Sequence, residues 1–543
     1  MTDTGPRTRG PAADAATAVQ RRTRIDEPAS STRTAPTLAD RRRRAILAAL
    51  AVALAAGGTT VGIVLSEGGT VTDPPELGRY AHEWPAPNAD LAGTRAAAGS
   101  AIDTKSVGRL RLAWRFRFTA QPGLSGIFAS TPLVLGSRVY IQDLDSNVYA
   151  LDFATGKLVW RARFRQITDG PNGLAAGYGR IYGNTDRAAF ALDADTGKLL
   201  WVRRLARRPS SAVDVAPVVA NGLVYTSSVG LPPGGKGVLY ALDAATGRSR
   251  WRFRTILGDW AVPKEAAGGG MWWPVSVDGR GRVYAGNSNP YPWGGTRRHP
   301  NGAAYRGPAL YTDSLLVLEG RSGKLAWYDQ VIPHDVRDYD FAASPIIARN
   351  AVFGAGKGGF VYAWDRRTGR RLWQTAVGLH RNDRGPLPSH RVTVCPGLLG
   401  GVETPMAYAR GRLFVPVVDL CMRGGATGYE NLFDVDLAGR GRGELVALDA
   451  RTGRPLWARR LPAPAFGCAT VANDVVFAPT LDGRVYALAT DTGRILWQAT
   501  ARAGINACPA VADGTLLVGA GTVYPDRLNP VYELIAYRLA GGG

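Results

Sequence analysis

Short apolar runs alternate with polar turns along most of this chain beyond residue 100, and one form of that alternation recurs. In Val148-Tyr149-Ala150-Leu151-Asp152-Phe153-Ala154-Thr155-Gly156-Lys157-Leu158-Val159-Trp160, an apolar run enters a polar turn and leaves it as a second apolar run, the pattern of a β-hairpin. Asp152 can bond turn amides through its side chain, and Gly156 supplies the positive φ of a tight turn. The spacing repeats at Asp193/Gly197/Trp201, Asp243/Gly247/Trp251, Asp365/Gly369/Trp373 and Asp449/Gly453/Trp457, while Glu319 and Ala489 replace the aspartate in two further copies ending at Trp327 and Trp497. A partial copy ends at Trp114.

Most copies lie roughly 40 to 50 residues apart, the length of one four-stranded propeller blade. This predicts an all-β, eight-bladed β-propeller over 99–543. A tryptophan at the same place in each blade is best used as a wedge between neighbouring sheets, with its large apolar face buried. The last repeat, Tyr532 to Leu539, lacks its outer strand, and Leu110 to Phe116 supplies one from the other end of the chain, so both termini share one blade and the ring has no open edge.

Residues 1–44 are rich in Ala, Thr, Pro and Arg with few large apolar side chains, which predicts a disordered cytoplasmic tail. Arg41 to Arg44 then abut an uncharged run of 21 residues, 45–65. That length predicts a transmembrane helix with the arginines inside and the propeller outside, a single-pass cell-membrane protein. A cleavable signal is the alternative, with Ala53-Leu54-Ala55 as its cleavage site and a secreted product. Residues 66–98 read as a linker.

The net charge of +22 invites a nucleic-acid reading, but arginine is scattered through turns and strand ends over the whole chain, so no nucleic acid is expected. The charge reads as solvated surface, with attraction to an anionic envelope or an acidic electron-transfer partner as the alternative. The chain has four cysteines, an even number for an exported domain, and their positions predict disulfides Cys395–Cys421 and Cys468–Cys508. No Cys-x-x-Cys-His occurs, so covalent haem is not expected, and five histidines argue against a His-rich metal centre.

Two intervals, Trp251 to Trp327 and Trp373 to Trp457, are too long for one blade, and insertions into a regular scaffold are where a site is built. The first holds Gly268-Gly269-Gly270-Met271-Trp272-Trp273-Pro274 and Gly286-Asn287-Ser288-Asn289-Pro290-Tyr291-Pro292-Trp293; beyond Trp327 follow Pro333-His334-Asp335-Val336-Arg337-Asp338-Tyr339-Asp340 and Lys357-Gly358-Gly359-Phe360. In this order these segments resemble the core of the pyrroloquinoline quinone (PQQ)-dependent alcohol dehydrogenases, eight-bladed propellers with the same tryptophan repeat.

The resemblance implies an exported, membrane-anchored dehydrogenase that oxidises a small alcohol or sugar and passes electrons to a separate acceptor. Trp272 would be the indole floor beneath the quinone and Asn289 an amide-oxygen ligand of Ca²⁺. Asp338 would stand beside both metal and substrate as the catalytic base, and Lys357 would bond the quinone oxygens. The chain also departs from the family. Its calcium-binding Glu should fall within Ser228 to Gly237, which has no carboxylate, and its adjacent cysteine pair near Arg165 to Asn172, where none stands. The alternative is therefore a non-catalytic binding propeller with protein partners, similar to envelope assembly factors.

Overall fold

Each sequence hairpin forms the two outer strands of a four-stranded antiparallel sheet in this computed structural model, which describes residues 72–543 apart from 98, 119–128, 169, 258–265, 306–307, 432–436, 522–530 and 541–543. The hairpin 148–160 is representative. Its strands Val148–Asp152 and Leu158–Ala162 continue a meander begun by Leu133–Leu135 and Arg138–Gln142. Burial falls outward: Leu133 to Leu135 are buried throughout, whereas Leu158 and Val159 are exposed. That gradient is why the inner strands read as continuous apolar runs and the outer ones as mixed.

Sheets of this form recur along the described residues and make the protein an all-β propeller. The final meander, Ala510–Ala512, Thr515–Ala520 and Glu533–Leu539, is completed by Leu110–Arg117, with Arg115 opposite Ile535, so the two ends of the domain are tied in one sheet.

The tryptophans are wedges. A Cβ placed on Gly197 would lie 2.5 Å from the Trp160 indole of the preceding sheet, and Trp160 Nε1 donates to the Ala194 carbonyl at 3.1 Å. Gly197 is thus required twice, for its φ of +71° and for the indole above it. Trp114, Trp201, Trp251, Trp327, Trp373 and Trp457 cover Gly156, Gly247, Gly323, Gly369, Gly453 and Gly493 in the same way. Trp497 ends the series by donating to the Leu110 carbonyl, in the sheet that holds Trp114. The turn aspartates behave as expected; Asp193 Oδ1 accepts both the amide and the hydroxyl of Thr196.

Residues 72–97, expected within a linker, are instead seated across the innermost strands. Backbone amides of Val134, Val277, Ile347, Tyr408 and Val471, each from a different sheet, donate to the carbonyls of Trp84, Leu91, Ala92, Thr94 and Arg95. Arg95 is fully buried, and its guanidinium donates to the carbonyls of Pro87, Ala469 and Pro509 and to the side chains of Asn88 and Thr470. Burial lowers its pKa to about 9.

The single-pass membrane localisation needs correction. No helix among the described residues is long and apolar enough to cross a membrane. The α-helices described, Pro75–Arg79 and Leu437–Arg440, are one turn each, against the roughly 20 residues a span requires. The segment 45–65 on which the expectation rested, and the tail 1–44, lie outside the described residues. Both expected disulfides are formed, Cys395–Cys421 within the long insertion and Cys468–Cys508 between consecutive sheets.

Candidate active site

The loop that follows the strand Arg282–Asn287 is shaped by Asn287. Its Oδ1 accepts the Gly270 amide, and its Nδ2 donates to the carbonyls of Tyr311 and Thr255. This fixes Asn289 two residues on. Opposite it, Asp335 accepts the amides of Arg337 and Tyr339 and so bends the chain around Asp338, whose φ of +63° is unusual for a residue with a side chain. The bend is anchored on the second insertion by Arg337, which donates to the carbonyls of Asn382, Arg384 and Gly385, and by the Tyr339 hydroxyl, which donates to the Pro396 carbonyl. Lys357 enters from the end of the strand Ala351–Gly356.

These loops bring three of the four expected residues together. Asn289 Nδ2 donates to Asp338 Oδ1 at 2.5 Å, and Lys357 Nζ contacts Asp338 Oδ2 at 2.6 Å and Asp340 Oδ2 at 2.7 Å. The Asn289 amide donates to Asp340 Oδ1 at 2.9 Å. Trp272 is outside this network. It lies partly buried beside the Cys468–Cys508 bridge, along a cleft of only about 10 Å³ that it shares with Asn88, Thr131, Asn172 and Ala216. That is room for one water. Its neighbour Trp273 makes the connection, donating from Nε1 to the Glu403 carbonyl at 2.9 Å.

Sequence reasoning assigned no role to Asp313, Asp335, Asp340 and Glu403. Asp313 is wholly buried, and neither carboxylate oxygen has a partner in the protein. Burial first, then Asp335, Asp340 and Asp338, push its pKa well above the ordinary value. Burial likewise raises Asp335 to about 6, against the amides it accepts, and Asp338 to about 7, against the pull of Lys357. Glu403 is raised by burial to about 8. Burial alone would lower Lys357, but Asp338, Asp340 and Glu403 more than reverse this and keep it charged well above its usual range. One lysine thus faces several carboxyls, and protons make up part of the balance.

A position just ahead of the innermost strand marked Glu403. Pro132, Pro217, Pro274, Pro345, Pro405 and Pro509 each stand at the entry of such a strand, so Thr131, Trp273, Glu403 and Cys508 fall one or two residues before their prolines. Several side chains of these entry segments carry buried polar atoms without a protein partner: Ser130 Oγ, Asn172 Oδ1 and Glu403 Oε1.

These unpartnered atoms, with Lys357, fit a polar, oxygen-rich ligand such as a quinone carboxylate. A cation fits less completely. Asp338, Asp340 and Asn289 are hard oxygen donors, but no group of three or more His, Cys, Asp or Glu among the described residues could hold a metal ion by itself. The expected Ca²⁺ would need oxygens from the ligand as well. The stretch without the family's Glu has a physical reason for lacking it: a Cβ on Gly230 would fall 2.5 Å from the Gly268 carbonyl oxygen, and one on Gly237 2.3 Å from the Gly270 amide. Backbone packs on backbone there.

Comparison with known proteins bears on the family and the fold. The profile described as glucose/ethanol/alcohol dehydrogenase, β-propeller domain, matches residues 84–179, and that described as outer membrane protein assembly factor BamB matches 144–395 and 361–529. Quinohemoprotein alcohol dehydrogenase ADH IIB of Pseudomonas putida is 30% identical over 79% of this chain and 71% of its own length. The lanthanide-dependent methanol dehydrogenase of Methylacidiphilum fumariolicum is 26% identical over 74% of this chain and 77% of its own. Among solved structures, quinohemoprotein alcohol dehydrogenase ADHIIG from Pseudomonas putida superposes with a TM-score of 0.74 at 23% identity, covering 86% of this chain and 82% of that one.

Proposed function

Since this chain belongs to the quinoprotein alcohol dehydrogenase family of β-propellers, we propose that it is a PQQ-dependent dehydrogenase of an alcohol or sugar, with Asp338 as its base. We read 99–543 as one ring of eight blades, supported by the tryptophan contacts that run from sheet to sheet and return to the first. When bound, PQQ would supply the two-electron acceptor and a hard cation, Ca²⁺ or a lanthanide, would polarise it.

One observation carries the reading: Asp338 is pinned between Asn289 and Lys357 with a pKa near 7. A base of that strength is matched to taking a hydroxyl proton near neutrality. Asn289 orients one carboxylate oxygen and Lys357 the other, so the proton-accepting atom is fixed before substrate arrives. Lys357 is also the charge available to developing negative charge on an acceptor oxygen. Asn289, Asp338 and Asp340 would offer the cation its protein oxygens, and Trp272 would wall the quinone only once the cleft beside it, which here has room for one water, opens. A separate electron acceptor would complete turnover, and the net charge of +22 favours an acidic one.

The absence of a carboxylate from 228–237 favours a second reading, a non-catalytic scaffold like the assembly factor that names one of the matching profiles. Dye reduction separates the two. Protein loaded with PQQ and Ca²⁺ or La³⁺ should reduce an artificial acceptor with simple alcohols or sugars, and Asp338→Asn should lose roughly 10²- to 10⁴-fold in rate while its fold is kept. Equal activity in that variant, or none in the parent with any cation, would overturn the enzyme reading.

A further inference from the structure

Glu403, like Asp313, is an acid whose burial the Asn289–Asp338–Lys357 network does not explain. Its segment is pressed onto the one that carries Lys357: a Cβ on Gly401 would lie 2.1 Å from the Lys357 carbonyl oxygen, and the Val402 amide donates to the Gly356 carbonyl at 3.2 Å. On the other side, its own carbonyl accepts the Trp273 indole N–H, and Thr404 Oγ1 donates to the Gly467 carbonyl. The backbone is held from both sides, yet the side-chain oxygen Oε1 is buried with nothing to bond. A buried oxygen left open in an otherwise tightly bonded segment costs about 1 to 3 kcal/mol unless a ligand satisfies it.

We propose that Glu403 is a further cofactor-contacting residue, whose neutral carboxyl donates a hydrogen bond to the quinone beside Lys357; this rests on the quinone reading above. Two features support it. Glu403 stands two residues before Pro405, as Trp272 stands two before Pro274, so these two side chains share one strand-entry level on separate sheets. The charged groups that act on it are Lys357, Asp340 and Asp338, and burial outweighs the lysine, raising Glu403 to about 8. The remaining segments against it, Trp272 to Pro274 and Gly467 to Ala469, bring no titrating group, since Cys468 is in a disulfide. At neutral pH the carboxyl therefore carries its proton and donates. Above about 8 it is an anion facing an anionic quinone, and binding fails.

The test is quinone affinity against pH, read by tryptophan quenching with PQQ at fixed Ca²⁺ from pH 6 to 9.5. The parent should bind evenly to about pH 7.5 and then weaken by up to roughly tenfold per pH unit. Glu403→Gln, which keeps a neutral donor of the same shape, should bind like the parent at pH 7 and lose the alkaline fall. Glu403→Ala should bind roughly tenfold more weakly at pH 7. Identical pH profiles for the parent and Glu403→Gln, or unchanged affinity in Glu403→Ala, would overturn the proposal. An infrared difference spectrum of the ligand-free parent against Glu403→Gln provides an independent readout: a protonated carboxyl band at pH 7 that vanishes above pH 8 supports it, and a carboxylate already at pH 6 sinks it. Failure of every form to bind PQQ, with the band present, would count against the quinone reading and leave the protonated acid standing.

Discussion

Asp193 and Asp338 are the same residue in opposite circumstances. Asp193 sits on an exposed repeat turn, where the Thr196 side chain and amide hold its carboxyl below the usual range. Asp338 sits in the interior of the interrupted region, on a strained backbone, pushed up to about 7 by burial. Asp152, Asp365 and Asp449 follow Asp193, whereas Asp313, Asp335 and Glu403 follow Asp338. The repeat spends its carboxylates on turns that water already solvates. Where the repeat breaks, carboxyls are buried at a cost that folding alone does not require, and such a cost points to chemistry.

Removing the cation of the buried carboxyl cluster should give the largest effect. Lys357→Met leaves Asp338 and Asp340 buried without a counter-charge and should cost about 3 to 5 kcal/mol of unfolding free energy at pH 8, less at pH 5 where protons substitute. Loss of Arg250, which pairs with Asp243 on an exposed turn, should cost under about 0.5 kcal/mol. Urea denaturation of both variants makes the comparison, and equal losses would erase it.

Within the scaffold, Gly197→Ala should cost about 2 to 4 kcal/mol, because the new methyl meets both the positive φ and the Trp160 indole. Gly179 has a φ of +72° and nothing within 4 Å, so Gly179→Ala isolates the backbone term at about 1 kcal/mol. Similar losses in the two would mean that the wedges are loosely packed.

The pH dependence of stability sharpens the contrast further. Asp335, Asp338 and Glu403 have folded values of about 6, 7 and 8, above their ordinary 3.8, 3.8 and 4.5, so the folded state holds protons that the unfolded chain has released. Stability should therefore fall as pH rises from 5 to 8, by up to about 1.4 kcal/mol per unit for each group still titrating. The turn aspartates are shifted down, so their contribution is lost only in acid, and Lys357 is shifted up, so its contribution is lost only in alkali. A ligand-free midpoint that is flat or rising between pH 5 and 8 would contradict the buried-acid description.

The scaffold was legible in the sequence because each blade repeats its turn chemistry. Asp193, Gly197 and Trp201 recur with fixed spacing, and the closing strand that starts at Leu110 and the Cys468–Cys508 bridge followed from the same register, whereas Cys395–Cys421 followed from the one long insertion that holds both cysteines. Asn289, Asp338 and Lys357 were legible through resemblance. Asp313 and Glu403 were not, since burial against groups distant in sequence leaves no local pattern, and only Glu403 had a hint, the proline that marks strand entry. The seating of residues 72–97 was hidden for a different reason: they bind five sheets through backbone hydrogen bonds, which need no particular side chains. The expected membrane span rested on hydrophobic length alone.

The most direct test of the account is a titration of the purified protein with PQQ in the presence and absence of Ca²⁺ or La³⁺, followed by tryptophan fluorescence. The account predicts saturable, one-to-one binding that requires the cation and weakens in Asp338→Asn. No change up to about 100 μM PQQ, where a site with Kd near 1 μM would be almost full, would contradict it and leave the buried acids without a quinone to serve.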